Sequence, residues 1–261
     1  MATRVDVDDL PQKLGAVIAD DPRYRALREL GEPDPDPQPR CPICRDAGYL
    51  RQDVPAGHPD FGKITPCECK RPALAAARLE RFWKSSQAPP KYGDCTLESY
   101  PGEPSVVDAL RDWLSTDRWL ILSGEYGAGK TGITVALLRE LHERGQSALF
   151  VNAPSMLRRV RATYRKDADP SESEGAVVDS LAEVDVLGID DVGKERLTQW
   201  GSELVYDVVN RRYAAGRRTI VTTNLDAAQL EVHVGQASFW RLFEMAMWLS
   251  VTGNLRRRMK A

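Results

Sequence analysis

Ser123-Gly124-Glu125-Tyr126-Gly127-Ala128-Gly129-Lys130-Thr131 is the stretch on which the reading of this chain turns. It has the GxxxxGK[ST] form of a phosphate loop. Such a loop points successive backbone N–H groups at phosphate oxygens. Its lysine reaches the β and γ phosphates, and its threonine hydroxyl ligates Mg²⁺. Just upstream, Trp119-Leu120-Ile121-Leu122 is an apolar run of strand type. Downstream, Ile133, Ala136, Leu137 and Leu141 fall at helical spacing. Strand, glycine loop and helix in that order bring the positive end of a helix behind the phosphates. The expected cradle for ATP is therefore Gly124, Glu125, Tyr126, Gly127, Ala128, Gly129, Lys130, Thr131 and Gly132.

Working outward, Val184-Asp185-Val186-Leu187-Gly188-Ile189 is an apolar strand that ends in Asp190 and Asp191. Ligands of parallel sheets collect at the C-terminal strand edge. There Asp190 is placed to hold Mg²⁺ together with Thr131, and Asp191 to polarise an attacking water. The plainer reading is an acidic strand end that caps the next helix. Thr219 to Thr223 is another buried strand, closed by Asn224, which either orients the lytic water or caps a turn. Strands from Trp119, Ala148, Val184, Thr219 and Met247 alternate with helices from Ser105, Lys130, Met156, Val177 and Trp200. That alternation predicts an α/β fold, a five-stranded parallel sheet with helices on both faces.

Hydrophobic residues make up 42% of the chain and charged ones 28%, with a net charge of −2. These are ordinary values for a soluble protein, and any nucleic-acid surface has to be a local patch. No apolar run approaches the ~20 residues of a membrane span. The first residues, Met-Ala-Thr-Arg-Val-Asp, form no signal core, so a cytoplasmic location and no membrane partner are expected.

Four of the five cysteines form two close pairs, Cys41-Pro-Ile-Cys44 and Cys67-Glu-Cys69. Two such knuckles can complete one tetrahedral Zn²⁺ site, and four thiolates leave no open position, so the ion would be structural. A redox pair or free thiols are the alternatives. His58 can replace one ligand, although its neighbours Gly57 and Pro59 suggest a turn. Cys95 has no role beyond packing. The expected organisation is 1–40, two short helices and a proline-rich linker from Glu32; 41–85, the zinc module with a basic helix from Arg71; and 86–261, the nucleotide domain. Arg158, Arg159, Arg161, Arg165 and Lys166 surround Tyr164, a composition that suits single-stranded DNA or a plain solvated face.

The run from Asp190 to Tyr213, followed by Thr219 to Asn224, resembles the AAA+ ATPases of the DnaC/DnaI/IstB group, bacterial and phage replicative-helicase loaders and transposition helpers. The likeness spans roughly residues 41–258, with Asp190-Asp191 in the place of the group's Walker B ending. Cys41 to Tyr49 is similar to the amino-terminal pattern of DnaI-like loaders. The resemblance implies a truncated lid, an arginine acting in trans at Arg241 and a sensor 2 arginine at Arg257, with Arg256 and Arg258 adjoining. It also implies a homo-oligomeric open ring or spiral that uses ATP, Mg²⁺ and Zn²⁺ to load a replicative helicase on single-stranded DNA. An IstB-type transposition helper and a nucleotide-dependent adaptor without turnover are the rival readings.

Overall fold

The structure, a computed structural model, describes residues 39–51, 53–164, 173–194 and 198–252. The expected helices before residue 32, the basic residues Arg165 and Lys166, and the tail with Arg256, Arg257 and Arg258 lie outside the described residues. The chain forms two units that divide between Arg71 and Pro72.

In the first unit, strands β1 (Tyr49–Arg51) and β2 (Ile64–Pro66) pair antiparallel, Tyr49 opposite Pro66 and Arg51 opposite Ile64. A single 3-10 turn, Glu68–Lys70, follows. The interior consists of Cys41, Cys44 and Cys67, with Leu50 packed on them. The first knuckle is closed by Asp46, whose carboxylate accepts the backbone N–H groups of Arg40 (3.1 Å) and Cys41 (2.9 Å).

The second unit opens with helix α1 (Arg71–Ser85), which buries Phe82 in this unit's core. The sequence reading grouped this helix with the cysteines; from Pro72 onward it belongs to the larger unit. Then come α2 (Pro104–Trp113), β3 (Trp119–Ser123), α3 (Lys130–Glu143), β4 (Ala148–Asn152), α4 (Ala153–Ala162), α5 (Glu174–Glu183), β5 (Val186–Val192), α6 (Gln199–Ala214), β6 (Arg218–Thr223), α7 (Ala227–Val234), α8 (Gln236–Met245) and β7 (Ala246–Ser250). The five strands β3 to β7 form one parallel sheet in the order β4-β5-β6-β3-β7. A strand covered on both faces must be apolar on both, which is why these segments read as unbroken apolar runs. Trp119 and Ile121 of β3 face the core under α4 to α8, while Leu120 and Leu122 face the core under α1 to α3. Burying each such leucine contributes about 1.5–3 kcal/mol.

The limits of one strand and one helix differ from expectation in ways that matter. β5 runs on to Val192, so both aspartates lie inside the strand instead of after it. α4 starts at Ala153, directly at the end of β4, and stops at Ala162. Hydroxyl and carboxylate caps set other helix starts: Ser173 accepts from Ala176 N–H, Thr198 from Gly201 N–H, and Asp226 with Gln229 closes a capping box.

Arg212 is fully buried and, among the described residues, makes no ion pair with a carboxylate. Its guanidinium donates to the carbonyls of Leu181 (2.8 Å), Ala182 (3.3 Å), Val184 (2.8 Å), Asp185 (3.3 Å) and Arg218, and to the Thr219 hydroxyl (2.9 Å). It thereby joins the C-terminus of α5 to the starts of β5 and β6. Burial pulls its pKa down to about 9, which still leaves it charged at neutral pH.

Candidate functional site

The loop from Gly124 to Gly129 leaves β3 at its C-terminal edge and feeds directly into α3, whose N-cap is Gly129. Gly129 has φ +94°, a left-handed turn that lets the chain enter the helix with its free N–H groups facing the loop interior. Gly124 is required for a different reason: a Cβ there would stand 2.1 Å from the Val251 carbonyl oxygen. Val251 N–H donates to the Ser123 carbonyl at 2.7 Å, and the Trp248 indole donates to the Ser123 hydroxyl at 2.7 Å, so β7 clamps the start of the loop.

Inside the loop Lys130 is 6% exposed. Its ammonium donates to the carbonyls of Gly124 (2.7 Å) and Glu125 (2.9 Å) and to Asn224 Oδ1 (2.5 Å). Burial pulls its pKa down, and the charges of Asp191 and Asp190 oppose that pull. Thr131 Oγ1 lies 3.0 and 3.1 Å from the two carboxylate oxygens of Asp190, which also accepts from the Thr222 hydroxyl at 2.7 Å. Burial raises the Asp190 pKa, with the Thr222 hydrogen bond working the other way. Sheet order accounts for this convergence. Because β6 is inserted between β3 and β5, Asn224, at its end, reaches Lys130, while Asp190 on the next strand reaches Thr131. A hydroxyl beside a buried carboxylate, at the mouth of a phosphate loop, is the oxygen donor set that Mg²⁺ accepts.

The two aspartates do different things because the strand is irregular between them. Ile189 pairs with Val221 and Val192 with Thr223, leaving Asp190 and Asp191 opposite the single residue Thr222. This is a β-bulge, and it turns successive side chains in ways a regular strand cannot. Asp191 takes φ +62°, a region in which aspartate is tolerated better than most residues. Thr222 Oγ1 accepts the Asp191 N–H at 2.9 Å while donating to Asp190. The Asp191 carboxylate meets the Lys194 ammonium at 2.6 Å, and that ammonium lies 5.2 Å from the centre of the Tyr126 ring. Sequence reading missed Thr222 and Lys194. Two consecutive threonines at the end of the apolar β6, and a lysine shortly after the paired carboxylates, were the available signals.

Four cysteines make the other site. Their sulfurs all lie within 4.8 Å of one another, with Cys41 to Cys67 at 3.7 Å and Cys44 to Cys69 at 3.4 Å. A tetrahedral ion with sulfur ligands at ~2.3 Å requires sulfur–sulfur edges of roughly 3.8 Å, so the set fits zinc. The Cys44 and Ile43 backbone N–H groups bring the Cys41 thiol down to about 7, which favours the ligating thiolate. Cys69 moves the other way, to about 12, because the neighbouring thiols of Cys44 and Cys41 raise it. The Gly48 N–H reaches the Cys44 sulfur at 3.3 Å. His58 is turned to the Asp60 backbone N–H at 3.2 Å and is not a member of the cluster.

Arg241 lies on α8. It donates to the Ala237 carbonyl at 2.8 Å and lies over the rings of Tyr206 (5.1 Å) and Tyr213 (5.7 Å). Of the basic residues near Tyr164, Arg158 donates to the Ser155 hydroxyl at 2.8 Å and Arg161 lies 5.2 Å over Trp200, which also meets Tyr164 edge-on at 6.3 Å.

Residues 103–259 match the family of IstB-like ATP binding proteins. The replicative helicase loader DnaC of Escherichia coli strain K12 is 24% identical over 197 residues, 69% of this chain and 79% of that one. The ATP-binding protein of insertion sequence IS1162 from Pseudomonas fluorescens is 32% identical over 159 residues, 58% of this chain and 65% of that one. Among solved structures, the crystal structure of the DnaC helicase loader superposes with a TM-score of 0.56 at 23% identity, covering 62% of this chain and 99% of that one. That likeness is one of fold.

Proposed function

This protein belongs to the IstB-like ATP-binding family and is an AAA+ ATPase, and from that premise we propose that it is a helicase loader that couples ATP turnover to placing a replicative helicase on single-stranded DNA. The observation that carries the reading is the convergence of Lys130, Thr131, Asp190 and Asn224 at one strand edge. Each of these groups has a hydrogen-bond partner among the others or on the loop. Lys130 would hold the β and γ phosphates of ATP, and Asn224 would orient the lytic water. Thr131 and Asp190 would hold Mg²⁺, whose charge would neutralise the phosphate oxygens. Asp191 polarises the water, and the bulge presents its carboxylate separately from that of Asp190.

Arg241 supports hydrolysis in trans. Its guanidinium contacts Ala237, Tyr206 and Tyr213, and homo-oligomers in a ring or spiral would bring it to a neighbouring protomer's site. Arg257 completes the site in the same reading, as the sensor 2 arginine. The face of α4 with Arg158, Arg159, Arg161 and Tyr164 takes the DNA backbone and stacks on bases. Zn²⁺ is held by Cys41, Cys44, Cys67 and Cys69, and its unit docks the helicase. The reading places the protein in the cytoplasm.

The deciding experiment combines capture and turnover. A tagged protein retains a replicative helicase from host lysate, and single-stranded DNA stimulates its phosphate release. Retention of a transposase instead establishes the transposition-helper reading, which the higher identity to the insertion-sequence relative favours. Arg241→Ala keeps ATP binding and loses hydrolysis; full hydrolysis in that variant removes the trans arginine.

A further inference from the structure

Alternation along β1 gives its two sides different tasks. Leu50 packs on the cysteines, so Tyr49 and Arg51 stand on the opposite side, with Pro66 and Ile64 directly across the ribbon on that same side. Tyr49, Phe61 and Ile64 are 38%, 47% and 64% exposed, a high share of bare apolar surface for so small a unit. Each ring carries a cation: Lys70 Nζ is 4.2 Å from the centre of Tyr49, and the Arg51 guanidinium is 5.3 Å from that of Phe61. Among the described residues neither cation pairs with a carboxylate. Asp46 accepts backbone N–H groups in the knuckle, and Asp60 accepts the Lys63 ammonium at 2.8 Å.

We propose that this outer face of the β1–β2 ribbon binds single-stranded nucleic acid, with Tyr49 and Phe61 as base platforms and Lys70 and Arg51 as phosphate contacts. A ring with a cation over it, at Tyr49 on the ribbon and again at Phe61 in the turn leading into β2, suits a strand that offers a base and a phosphate per nucleotide. A duplex hides its base faces in the stack, so the occupant is single-stranded. DNA and RNA share this chemistry. The inference does not depend on the reading of the ATP site. Failure of ATP turnover with the DNA behaviour below intact would break that reading and leave this one standing.

The test uses the full-length, zinc-containing protein and labelled oligo-dT and oligo-U of equal length, read by fluorescence anisotropy across a salt series. The double variant Arg51→Gln, Lys70→Gln is expected to bind about tenfold more weakly. Its log affinity should fall less steeply with log salt, by roughly 1.4 in slope, at ~0.7 for each lost single-strand phosphate contact. Tyr49→Ala is expected to weaken binding by about tenfold or more while leaving that slope unchanged. A difference between the two oligonucleotides identifies the natural strand. On the unmutated protein, a 5-iodouracil strand should photocross-link to Tyr49 or Phe61, a readout that stands even where a variant loses its zinc. Unchanged affinity and slope with zinc retained, or cross-links only outside residues 49–70, overturns the proposal. So does capture of a protein partner through this face with DNA affinity unaltered.

Discussion

In the larger unit, both faces of a five-stranded sheet lie under helices, and dozens of aliphatic and aromatic side chains fill the two interiors. In the smaller, the interior among the described residues is a cluster of three buried cysteines with one leucine packed on it. The first can hold a precise site with its own apolar burial. The second cannot offset its chain entropy that way and needs bonds stronger than van der Waals contact. The difference also sorts their polar groups. In the larger unit the buried charges Lys130, Asp190 and Arg212 are hydrogen-bonded, and they serve the loop or the frame. In the smaller the polar groups that matter are the four thiols whose spacing fits zinc.

Removing the metal is the most forceful way to break this comparison. Zinc binding to small thiolate modules amounts to about 10–16 kcal/mol of folding free energy, more than the unit's own packing can replace. A chelator should therefore open residues 39–71 to proteolysis, with fragments mapped by mass spectrometry, while a fluorescent nucleotide still binds. Loss of nucleotide binding under chelation would mean that the larger unit leans on the metal too.

The next effect tests the frame of the larger unit. Arg212→Met strands the carbonyls of Leu181, Val184 and Asp185 that its guanidinium now satisfies. Leaving a buried carbonyl unpaired costs about 1–3 kcal/mol, and several are stranded together, so the melting temperature should fall by roughly 10 °C. Arg212→Lys should recover only part of the loss, because an ammonium cannot span so many acceptors. A fall of only a few degrees would mean that helix and strand ends are held by packing alone.

Arg212 also marks where sequence reading stops. Arg211 and Arg212 are adjacent and alike, yet Arg211 pairs with Asp179 at the surface while Arg212 is enclosed. Helix phase against two strands decides which points inward, and no local pattern carries that phase. The phosphate loop was legible because its chemistry demands a contiguous motif between a strand and a helix. Asn224 was legible as the polar end of an apolar strand. The bulge was not, because the register at Asp190 and Asp191 depends on Thr222, some thirty residues away. The ribbon of β1 and β2 was missed because three-residue strands have no measurable period. α7 and α8 went unassigned because they are short and meet at Gly235. The helix α1 was grouped with the cysteines because it starts immediately after the last cysteine turn, while Phe82, with Trp83 beside it, packs into the larger unit's core.

A smaller effect, confined to the site, is expected from Lys130→Ala. It removes charge-assisted bonds to the phosphates and should raise the ATP dissociation constant about 100-fold, roughly 2.7 kcal/mol, by calorimetry. Zinc content should stay the same. A change of threefold or less would place the nucleotide elsewhere than this loop and undo the assignment of chemistry to the larger unit.

The smallest effect is the most informative about how that chemistry is tuned. Lys194 is 40% exposed and pairs with Asp191, so the ion pair itself contributes less than about 1 kcal/mol to stability. Lys194→Met should hardly move the melting temperature. Its ammonium nevertheless fixes the direction of a carboxylate on a left-handed residue, beside Tyr126 of the loop. Without it kcat should fall about threefold while KM for ATP holds, since a misdirected base weakens the transition state and not the ground-state complex. A parallel fall in melting temperature would make the lysine a structural tie. A rise in kcat would instead mean that it restrains Asp191 until nucleotide arrives, and that the larger unit too keeps a polar pair whose worth lies outside stability.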